Sequence, residues 1–339
     1  MKKILISGYY GFDNFGDEAI LSVLLKHLKG HQVTVLSADP EKTYKQHNVH
    51  SINSFKPEVV LSKIYDYDLL ISGGGSLLQN VTSNNSLIFY TSLIKMFTAA
   101  RKDAIIFAQG IGPVNGFWGK HIAKSAIKKC KYVSVRDENS QNLLKSWGIK
   151  SELVCDPFFD VYLSSPNKTK KVGIQLRKFS TITDKLFDEI IRELAQRFSN
   201  REIELISLQD SEDVGISQIF QNKIKAKYPT MKVSIAQNLT MEQLKNRVGE
   251  YDYLIAMRYH ACLLGLKYGI KTLAISYDPK VETLAKEANI PYLSMNNDDN
   301  DYKLEFDKME KLTSFNLLNY VNSKYFDWSK TGIDEILNS

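Results

Sequence analysis

The chain has 339 residues, of which 43% are hydrophobic and 24% charged, so it has the composition of an ordinary globular protein and a length that suits two domains. Its 44 Lys and Arg outnumber its 38 Asp and Glu, but the lysines are spread along the sequence. The dense basic patch of a nucleic-acid-binding protein is missing, so we expect no nucleic acid as a partner. The mild excess of basic residues suits anionic substrates or an anionic membrane surface.

The first half of the chain alternates short apolar runs with helical patterns, as α/β domains do. Gly30 ends a helix predicted over Ala19–Leu28, and Gly148 ends another that runs from about Ser140 to Trp147. The strands predicted in this half are Lys3–Ser7, Gln32–Ser37, Asp68–Ser72, Ala104–Ala108 and Tyr132–Val135.

The loop between the first strand and the first helix, residues 8–18, is rich in glycine and acidic residues. Phosphate groups dock at this position in doubly wound folds, yet the spacing matches neither GxGxxG nor a P-loop. With Asp17 and Glu18 at the start of the helix, we expect the loop to contact hydroxyl groups. The alternative is that these carboxylates only complement the helix dipole.

Three consecutive glycines, Gly73–Gly75, follow the strand Asp68–Ser72. Such a run implies close approach to the backbone, either by a packed helix or by a ligand. The polar residues from Gln79 onward favour the ligand. A similar loop, Gln109–Pro113, follows the next strand, and Arg136 stands at the end of Tyr132–Val135.

A polar segment without strand pattern, residues 164–171, is predicted to link residues 1–163 to a second α/β series over residues 172–305, with a cleft between the two. Residues 306–339 are predicted to form a helical tail, with helices at Phe306–Val321 and Ile333–Leu337. The second series consists of strands at Val172–Leu176, Glu202–Leu208, Lys232–Ile235, Tyr253–Ala256 and Thr272–Ser276, and of helices at Leu186–Phe198, Ile216–Tyr228, Ala261–Tyr268 and residues 281–288.

Two neighbouring strand ends in this second series carry Arg258, His260 and Lys280. Ligands collect outside the carboxyl ends of parallel strands, and helix N-termini favour anions there, so this pattern predicts a phosphate or carboxylate site with a proton donor. Taken singly, each side chain also has a structural explanation, as an ion pair, a core histidine or a solvated lysine.

The cysteines, Cys130, Cys155 and Cys262, are odd in number and share no metal-ligand or CxxC spacing. We therefore expect small core residues in a reducing compartment. The apolar run after Met1 is too short for a secretory signal, and no stretch approaches the ~18 apolar residues of a spanning helix. These features predict a cytoplasmic protein, working at the inner face of the membrane if its acceptor is lipid-linked.

Five motifs in this order, GYYGFDNFGDEA, SGGGSLLQN, AQGIGP, SVRDENS and AMRYHA…ISYDPKV, resemble the polysaccharide pyruvyl transferase family, which includes bacterial enzymes of cell-wall and capsular polysaccharides. The resemblance runs from about Ile4 to about Ala288. It implies two Rossmann-like domains of the glycosyltransferase-B type, the acceptor side at the N-terminus and the donor side at the C-terminus. It also implies phosphoenolpyruvate as donor, with no metal or other cofactor.

The resemblance further implies that Arg136 and Lys280 bind the donor and that His260 is the active-site histidine. The chain departs from the family at Tyr259, where an aliphatic residue is usual, and at Asn80, where aspartate is usual. The second change replaces an acidic hydroxyl partner with a neutral one, so it bears on the acceptor.

The chemistry of the residues fits this donor. Phosphoenolpyruvate carries a phosphate and a carboxylate, for which Arg136, Arg258 and Lys280 supply separated cations. His260 is then the acid that protonates the enol methylene. We expect a carboxylate of the first domain, Asp13, Asp17 or Glu18, to accept hydroxyl protons, and we expect the glycan or lipid-linked glycan acceptor to be bound by Asp13, Asn14, Gly75, Gln79 and Asn80.

Two other functions fit parts of the pattern. A nucleotide-sugar glycosyltransferase of the same architecture would use Arg258 and Lys280 to hold a diphosphate. A glycan- or phosphate-binding module without catalysis would use the same clefts, although it would have no need of a titratable histidine between cations.

Overall fold

The computed structural model describes residues 1–81, 83–180, 182–295 and 299–338. The chain forms two compact units. The first unit comprises Met1–Val161 together with the segment that starts at Tyr325, and the second comprises Tyr162–Lys324. Each unit is built around its own parallel sheet.

The sheet of the first unit has seven parallel strands in the order β3-β2-β1-β4-β5-β6-β7. This is the strand order of a doubly wound fold with one added edge strand. Its strands are β1 (Lys3–Ser7), β2 (Gln32–Ser37), β3 (His50–Asn53), β4 (Leu69–Ser72), β5 (Asp103–Gln109), β6 (Tyr132–Val135) and β7 (Glu152–Leu153). Its helices up to β7 are α1 (Phe15–His27), α2 (Pro40–His47), α3 (Pro57–Lys63), α4 (Asn84–Ala99), α5 (Phe117–Ile127) and α6 (Glu138–Ser146).

The sheet of the second unit has six parallel strands in the order β10-β9-β8-β11-β12-β13. Its strands are β8 (Lys171–Gln175), β9 (Ile203–Ile206), β10 (Val233–Ala236), β11 (Tyr251–Ala256), β12 (Lys271–Ser276) and β13 (Tyr292–Ser294). Its helices are α7 (Asp184–Phe198), α8 (Asp210–Lys227), α9 (Met241–Gly249), α10 (Tyr259–Lys267), α11 (Pro279–Glu287), α12 (Tyr302–Lys311) and α13 (Ser314–Ser323).

The predicted α/β class with two parallel sheets is confirmed. The central strands were recognisable because helices cover both of their faces, so they are apolar throughout; Leu69–Ser72, for example, is fully buried. The strands β3, β7 and β13 were missed. They are edge strands of two to four residues, and β3 buries only Ile52, so the sequence carries no strand pattern there. The prediction that the two units face a cleft stays a prediction.

The helix α1 begins four residues earlier than predicted. Asn14 is its N-cap, with the side-chain oxygen accepting the N–H of Gly16 at 3.1 Å. An asparagine cap satisfies a backbone donor that the first helical turn leaves unpaired. Asp17 and Glu18 therefore lie in the first turn of the helix, not in the preceding loop.

The tail is divided between the two units. The single helix predicted over Phe306–Val321 is broken at Leu312, where Thr313 caps the start of α13, and both α12 and α13 belong to the second unit. The segment from Tyr325 onward returns to the first unit, where it forms α14 (Ile333–Leu337) and stacks Trp328 on His27 at 4.3 Å. The predicted linker, residues 164–171, lies just after the boundary between the units, and its last residue opens β8.

Candidate active site

In the first unit, protein side chains fill the space above all three glycines of Gly73–Gly75. A Cβ at Gly73 would overlap the hydroxyl of Tyr10, one at Gly74 would overlap Ile20 of α1, and one at Gly75 would overlap Oδ1 of Asp17. The packing of Tyr10 and of α1 thus accounts for the glycine run, and the interpretation that a ligand also lies against this backbone stays a prediction. Acceptor binding by Gly75 itself stays a prediction.

The contact with Gly75 places Asp17 at the carboxyl end of the sheet. Gly75 has a φ of +90°, a conformation that other residues rarely adopt, and Asp17 is only 8% exposed. The other two carboxylates considered as bases lie elsewhere in this loop. Asp13 pairs with Lys42, and Glu18 is tied to the loop. Asp17 is the one of the three whose carboxylate oxygen closely approaches Gly75, just after β4, so it is the candidate base that we consider below.

A buried histidine that the sequence analysis missed holds Glu18. Nε2 of His47 lies 2.8 Å from Oε2 of Glu18, and both side chains are less than 5% exposed. The second oxygen, Oε1, accepts the N–H of Gly11 at 2.8 Å. Glu18 thus fixes the glycine-rich loop to α1 and α2. No local signal marks His47, which stands at the end of a polar helix.

Tyr10 is a second buried polar group in this loop. Its side chain is 1% exposed, and its hydroxyl has no hydrogen-bond partner among the described residues. Burial, together with the nearby carboxylates of Asp17 and Glu18, raises the pKa of Tyr10 well above its ordinary value. The hydroxyl therefore stays protonated and can act as a hydrogen-bond donor in this loop.

The remaining predicted acceptor-binding residues have structural contacts. Asn14 caps α1, and Oε1 of Gln79 accepts the N–H of Val81 at 2.7 Å. Asn80 joins two loops, because its amide nitrogen donates to Asn84 and to the carbonyl of Asn115, each at 3.0 Å, while its oxygen accepts the N–H of Asn115 at 2.7 Å. The structure does not bring Asn80 to Asp17 and Gly75 through these contacts, and its role in binding stays a prediction.

Arg136 lies beside the same glycine loop. Its Nη1 donates to Oδ2 of Asp156 at 2.8 Å, and its Nη2 donates to Oγ of Ser76 at 3.0 Å. The Arg136 and Asp156 side chains are 5% and 2% exposed, so the ion pair is shielded from water. Asp156 thus compensates the buried charge and orients the guanidinium. The first unit therefore gathers Asp17, Gly75 and Arg136 around one loop.

In the second unit, Arg258 is the centre of a buried polar network at the end of β11. Its guanidinium contacts Asp213 through Nε and Nη2 and donates to Gln209 at 3.0 Å. Its backbone N–H donates to Gln175 at 2.8 Å. Arg258 is also the N-cap residue of α10, so the network fixes the start of that helix. The prediction that Arg258 binds the donor stays a prediction.

His260 and Lys280 lie in the first turns of two helices of the second unit. His260 follows Arg258 in α10, with its ring edge-on to Tyr259 at 5.2 Å. Lys280 belongs to α11, and its half-exposed ammonium lies 3.4 Å from Asp278, the residue that caps this helix. The strands that precede them, β11 and β12, are neighbours in the sheet. Both residues therefore lie just after the carboxyl ends of neighbouring strands.

Arg177 is a cation at this edge that the sequence analysis did not single out. It follows β8, its N–H donates to Sδ of Met257 at 3.3 Å, and its Nη1 donates to the hydroxyl of Tyr277 at 3.2 Å. Its Nε is buried without a hydrogen-bond partner, and no carboxylate of the described residues forms an ion pair with it. Its position directly after an apolar strand is the signal in the sequence that could have identified it.

Metal-ligating side chains do not gather in the described part of the chain, where no group of three or more His, Cys, Asp or Glu lies close enough to hold an ion. Within that same part, no helix has the length and apolar character needed to cross a bilayer. Two surface pockets lie away from the predicted site residues, one lined by Lys185, Glu189, Arg192 and residues 299–303, the other by residues 127–133 and 148–152.

The comparison with protein families shows the family of this chain. The family model for polysaccharide pyruvyl transferase matches residues 14–279, which is most of the chain. The chain belongs to the polysaccharide pyruvyl transferase family. Membership makes it a transferase of polysaccharide biosynthesis. The matched segment includes Asp17, Arg136 and His260 and stops one residue before Lys280.

Solved structures with a similar fold include enzymes of nucleotide-sugar chemistry. HepE of Anabaena, in complex with UDP and glucose, has a TM-score of 0.65 at 13% identity, with all of both chains covered. A putative UDP-N-acetylglucosamine 2-epimerase from Listeria monocytogenes has a TM-score of 0.68 at 10% identity, covering 99% of this chain and 95% of that one. MnaA of S. aureus, with UDP, has a TM-score of 0.68 at 10% identity, covering 100% and 97%.

At this level of identity the structural likeness shows the fold alone. It confirms the predicted arrangement of two Rossmann-like domains of the glycosyltransferase-B type for a member of the pyruvyl transferase family. None of the curated proteins compared matches the sequence.

Proposed function

We propose that this chain transfers pyruvate from phosphoenolpyruvate to a sugar of a cell-surface glycan, such as a cell-wall or capsular polysaccharide, or to its lipid-linked precursor. The product is a pyruvate ketal, and phosphate is released. Family membership supports the reaction class. The observation that carries the choice of donor is the environment of Arg177 at the carboxyl edge of the second sheet.

Arg177 is a partly buried cation without a carboxylate at ion-pair distance among the described residues. Removing a charge from water is costly unless a counter-charge is near. Burial lowers the pKa of Arg177, but Tyr277 and the carboxylates of Glu212 and Asp213 raise it by more, so the group stays cationic. An anionic ligand is the natural counter-charge for such a group, and a planar guanidinium pairs well with a carboxylate or a phosphate.

The neighbours of Arg177 support a donor with two anionic groups. The strand β11 lies between β8 and β12, so Arg177 and Lys280 follow the strands on either side of the one that leads to His260. Two cations that follow the strands next to the strand of the histidine suit a ligand that carries a carboxylate and a phosphate on one small carbon skeleton. The resemblance assigns Arg136 of the first unit to the donor as well, and the Arg136→Ala variant tests that assignment separately.

The proposed chemistry starts with a proton from His260 to the methylene carbon of phosphoenolpyruvate, which makes C2 electrophilic. One sugar hydroxyl then forms a bond to C2 and loses its proton. A second hydroxyl of the same sugar forms the other C–O bond while the C2–O bond to phosphate breaks. One of the two hydroxyl protons makes up for the proton that His260 gave to the methyl group. The other leaves with phosphate.

On the acceptor side, we assign Asp17 as the base that takes a hydroxyl proton. Its contact with Gly75 fixes the carboxylate at the carboxyl end of the first sheet, and the buried Tyr10 hydroxyl lies beside Gly73 in the same loop. A base held by packing needs little reorganisation when the substrate binds. The amide of Asn80, where the family resemblance implies an aspartate, is assigned to acceptor choice and not to catalysis.

A nucleotide-sugar-dependent glycosyltransferase of the same fold is the second candidate, since structures of similar fold are complexes with UDP. The test measures phosphate released from phosphoenolpyruvate over a panel of nucleotide-linked and lipid-linked amino-sugar acceptors, with the His260→Ala protein as the control. Phosphate release that requires an acceptor, together with thermal stabilisation by phosphoenolpyruvate, supports the proposal. Stabilisation by UDP and none by phosphoenolpyruvate would support the glycosyltransferase instead.

A further inference from the structure

The helix α5 of the first unit has a buried face of small residues and an outer face of a different kind. Ala123, Ala126 and Ile127 are fully buried in the core of the unit. A Cβ at Gly119, on the same face, would touch the side chains of Asn80 and Leu87. These contacts hold α5 closely against α4 and the loop before it. Residues 117, 121, 124 and 128 follow helical spacing on the opposite face, which points away from the core.

This outer face opens with two large aromatic side chains in contact with solvent. Phe117 is 77% exposed and Trp118 is 75% exposed. Their rings pack edge-on against each other at 5.9 Å, and Phe117 stacks on His121 at 6.3 Å. Adjacent exposed aromatic residues have no role in holding this unit together. Tryptophan and phenylalanine on the outer face of a helix are typical of segments that lie in a membrane interface.

The rest of the outer face is basic and has no acidic counterpart. The helix and its C-terminal cap carry Lys120, Lys124 and Lys128, and Lys129 follows. The sequence contains no Asp or Glu from Ala104 to Arg136. Asp103, the acidic residue just before this stretch, pairs with Lys131. Within the described residues none of the four lysines forms an ion pair, so their charges are available to an external anionic surface.

We infer that the α5 surface, formed by Phe117, Trp118, Lys120, His121, Lys124 and Lys128, docks on an anionic phospholipid bilayer. In this orientation the lysines lie at the level of the lipid headgroups, and the two aromatic side chains insert into the interfacial region of the bilayer. Val81, which is 62% exposed, follows Asn80, whose side chain is bonded to Asn115 just ahead of α5. This inference goes beyond the proposed function and uses none of its catalytic groups.

The experiment measures co-flotation of the whole protein with vesicles of phosphatidylcholine alone and of phosphatidylcholine with an equal amount of phosphatidylglycerol. We expect binding to the second composition only, and weaker binding at high salt. The Lys124→Glu/Lys128→Glu variant should bind at least tenfold more weakly, since each lysine near an anionic surface is worth roughly a fivefold change in binding. The Phe117→Ala/Trp118→Ala variant should also lose binding.

Two matched controls separate this surface from general charge and exposed aromatic area. Lys29 and Lys145 are exposed on the same unit, so Lys29→Glu/Lys145→Glu makes the same change in charge elsewhere. Phe315 is 71% exposed on α13, so Phe315→Ala removes comparable aromatic area. Both controls should bind like the parent protein. Thermal melting of every variant checks that the fold is intact.

Three results would overturn the inference: no binding to either vesicle, equal binding to both compositions, or equal loss in the test and control variants. If the true partner is a nucleic acid or a protein surface, the protein should bind to neither vesicle. Because turnover of a water-soluble acceptor does not need the α5 surface, the variants should keep that activity. Failure here therefore leaves the proposed reaction untouched, and failure of the reaction leaves the docking test intact.

Discussion

The guanidinium of Arg258 pairs side-on with the carboxylate of Asp213, with Nη2 2.7 Å from Oδ1 and Nε 3.0 Å from each carboxylate oxygen. Both groups are buried. Asp213 also accepts the backbone N–H groups of Leu208 and Gln209. The pair therefore joins the ends of β9 and β11 and fixes the N-terminus of α10, where His260 lies.

Removing Asp213 should destabilise the second unit strongly. Asp213→Ala leaves the Arg258 charge buried without a counter-charge, and such a change typically costs about 3–5 kcal/mol in the free energy of unfolding. Urea unfolding followed by far-ultraviolet circular dichroism measures it. Glu41→Gln, which removes the exposed pair with Lys45, is the control and should have little effect. A similar stability for both variants would contradict the structural role of the pair.

Substitution of His260 should separate catalysis from stability. His260→Ala should lower kcat by roughly 10²–10⁴-fold, if the imidazole is the general acid, and should remove one limb of the pH–rate profile. It should leave much of the affinity for phosphoenolpyruvate. Melting temperature, donor affinity and kcat are measured on one preparation. A destabilised variant with full turnover would show that His260 is a core residue and not the acid.

Arg177 and Lys280 should contribute to donor affinity rather than to turnover. Arg177→Ala and Lys280→Ala should each weaken phosphoenolpyruvate binding by about 1.5–3 kcal/mol, the value of a charge-assisted hydrogen bond. Arg177→Lys should recover only part of the loss, because lysine lacks the planar fork. Isothermal calorimetry measures the affinities, with Lys178→Ala, an exposed neighbour, as the control. Equal affinities for all four variants would remove Arg177 from the donor site.

The thiols of Cys130 and Cys262 should be inert in the folded protein. Burial raises the pKa of each to about 12, so neither forms a thiolate at neutral or mildly alkaline pH. Since these folded values exceed the unfolded ones, the two thiols add stability that is complete below about pH 9 and is lost as the pH rises toward 12. Alkylation at pH 8, followed peptide by peptide by mass spectrometry, should modify both much faster in urea than in the native protein. Cys262 is fully buried, whereas Cys130 is partly buried beside a surface pocket, so Cys262 should be the slower of the two to label in the native protein, and rapid native labelling of Cys262 would contradict its burial.

Activity should persist in excess EDTA, because the cations proposed for the donor are side chains. The same assay with added divalent metal after dialysis is the control. Activity that EDTA abolishes and a divalent metal restores would require a metal site outside the side-chain clusters described.

The sequence by itself was enough to predict two parallel α/β series and the placement of Arg258, His260 and Lys280 after apolar strands. Both depend on local patterns, since a strand covered on both faces is apolar along its whole length and the residues that follow it lie at the sheet edge. Short edge strands such as β3 have no such pattern, and they were missed.

Only the tertiary structure decided which polar groups meet. Arg258 and Asp213 are 45 residues apart, and Glu18 and His47 are 29 apart, so no spacing along the chain connects them. The same holds for the glycine run Gly73–Gly75, where the sequence indicated close approach but only the packing of Tyr10 and α1 shows which protein side chains lie against it. Local periodicity sets the elements, whereas the partners of buried charges depend on contacts that form only when distant elements pack together.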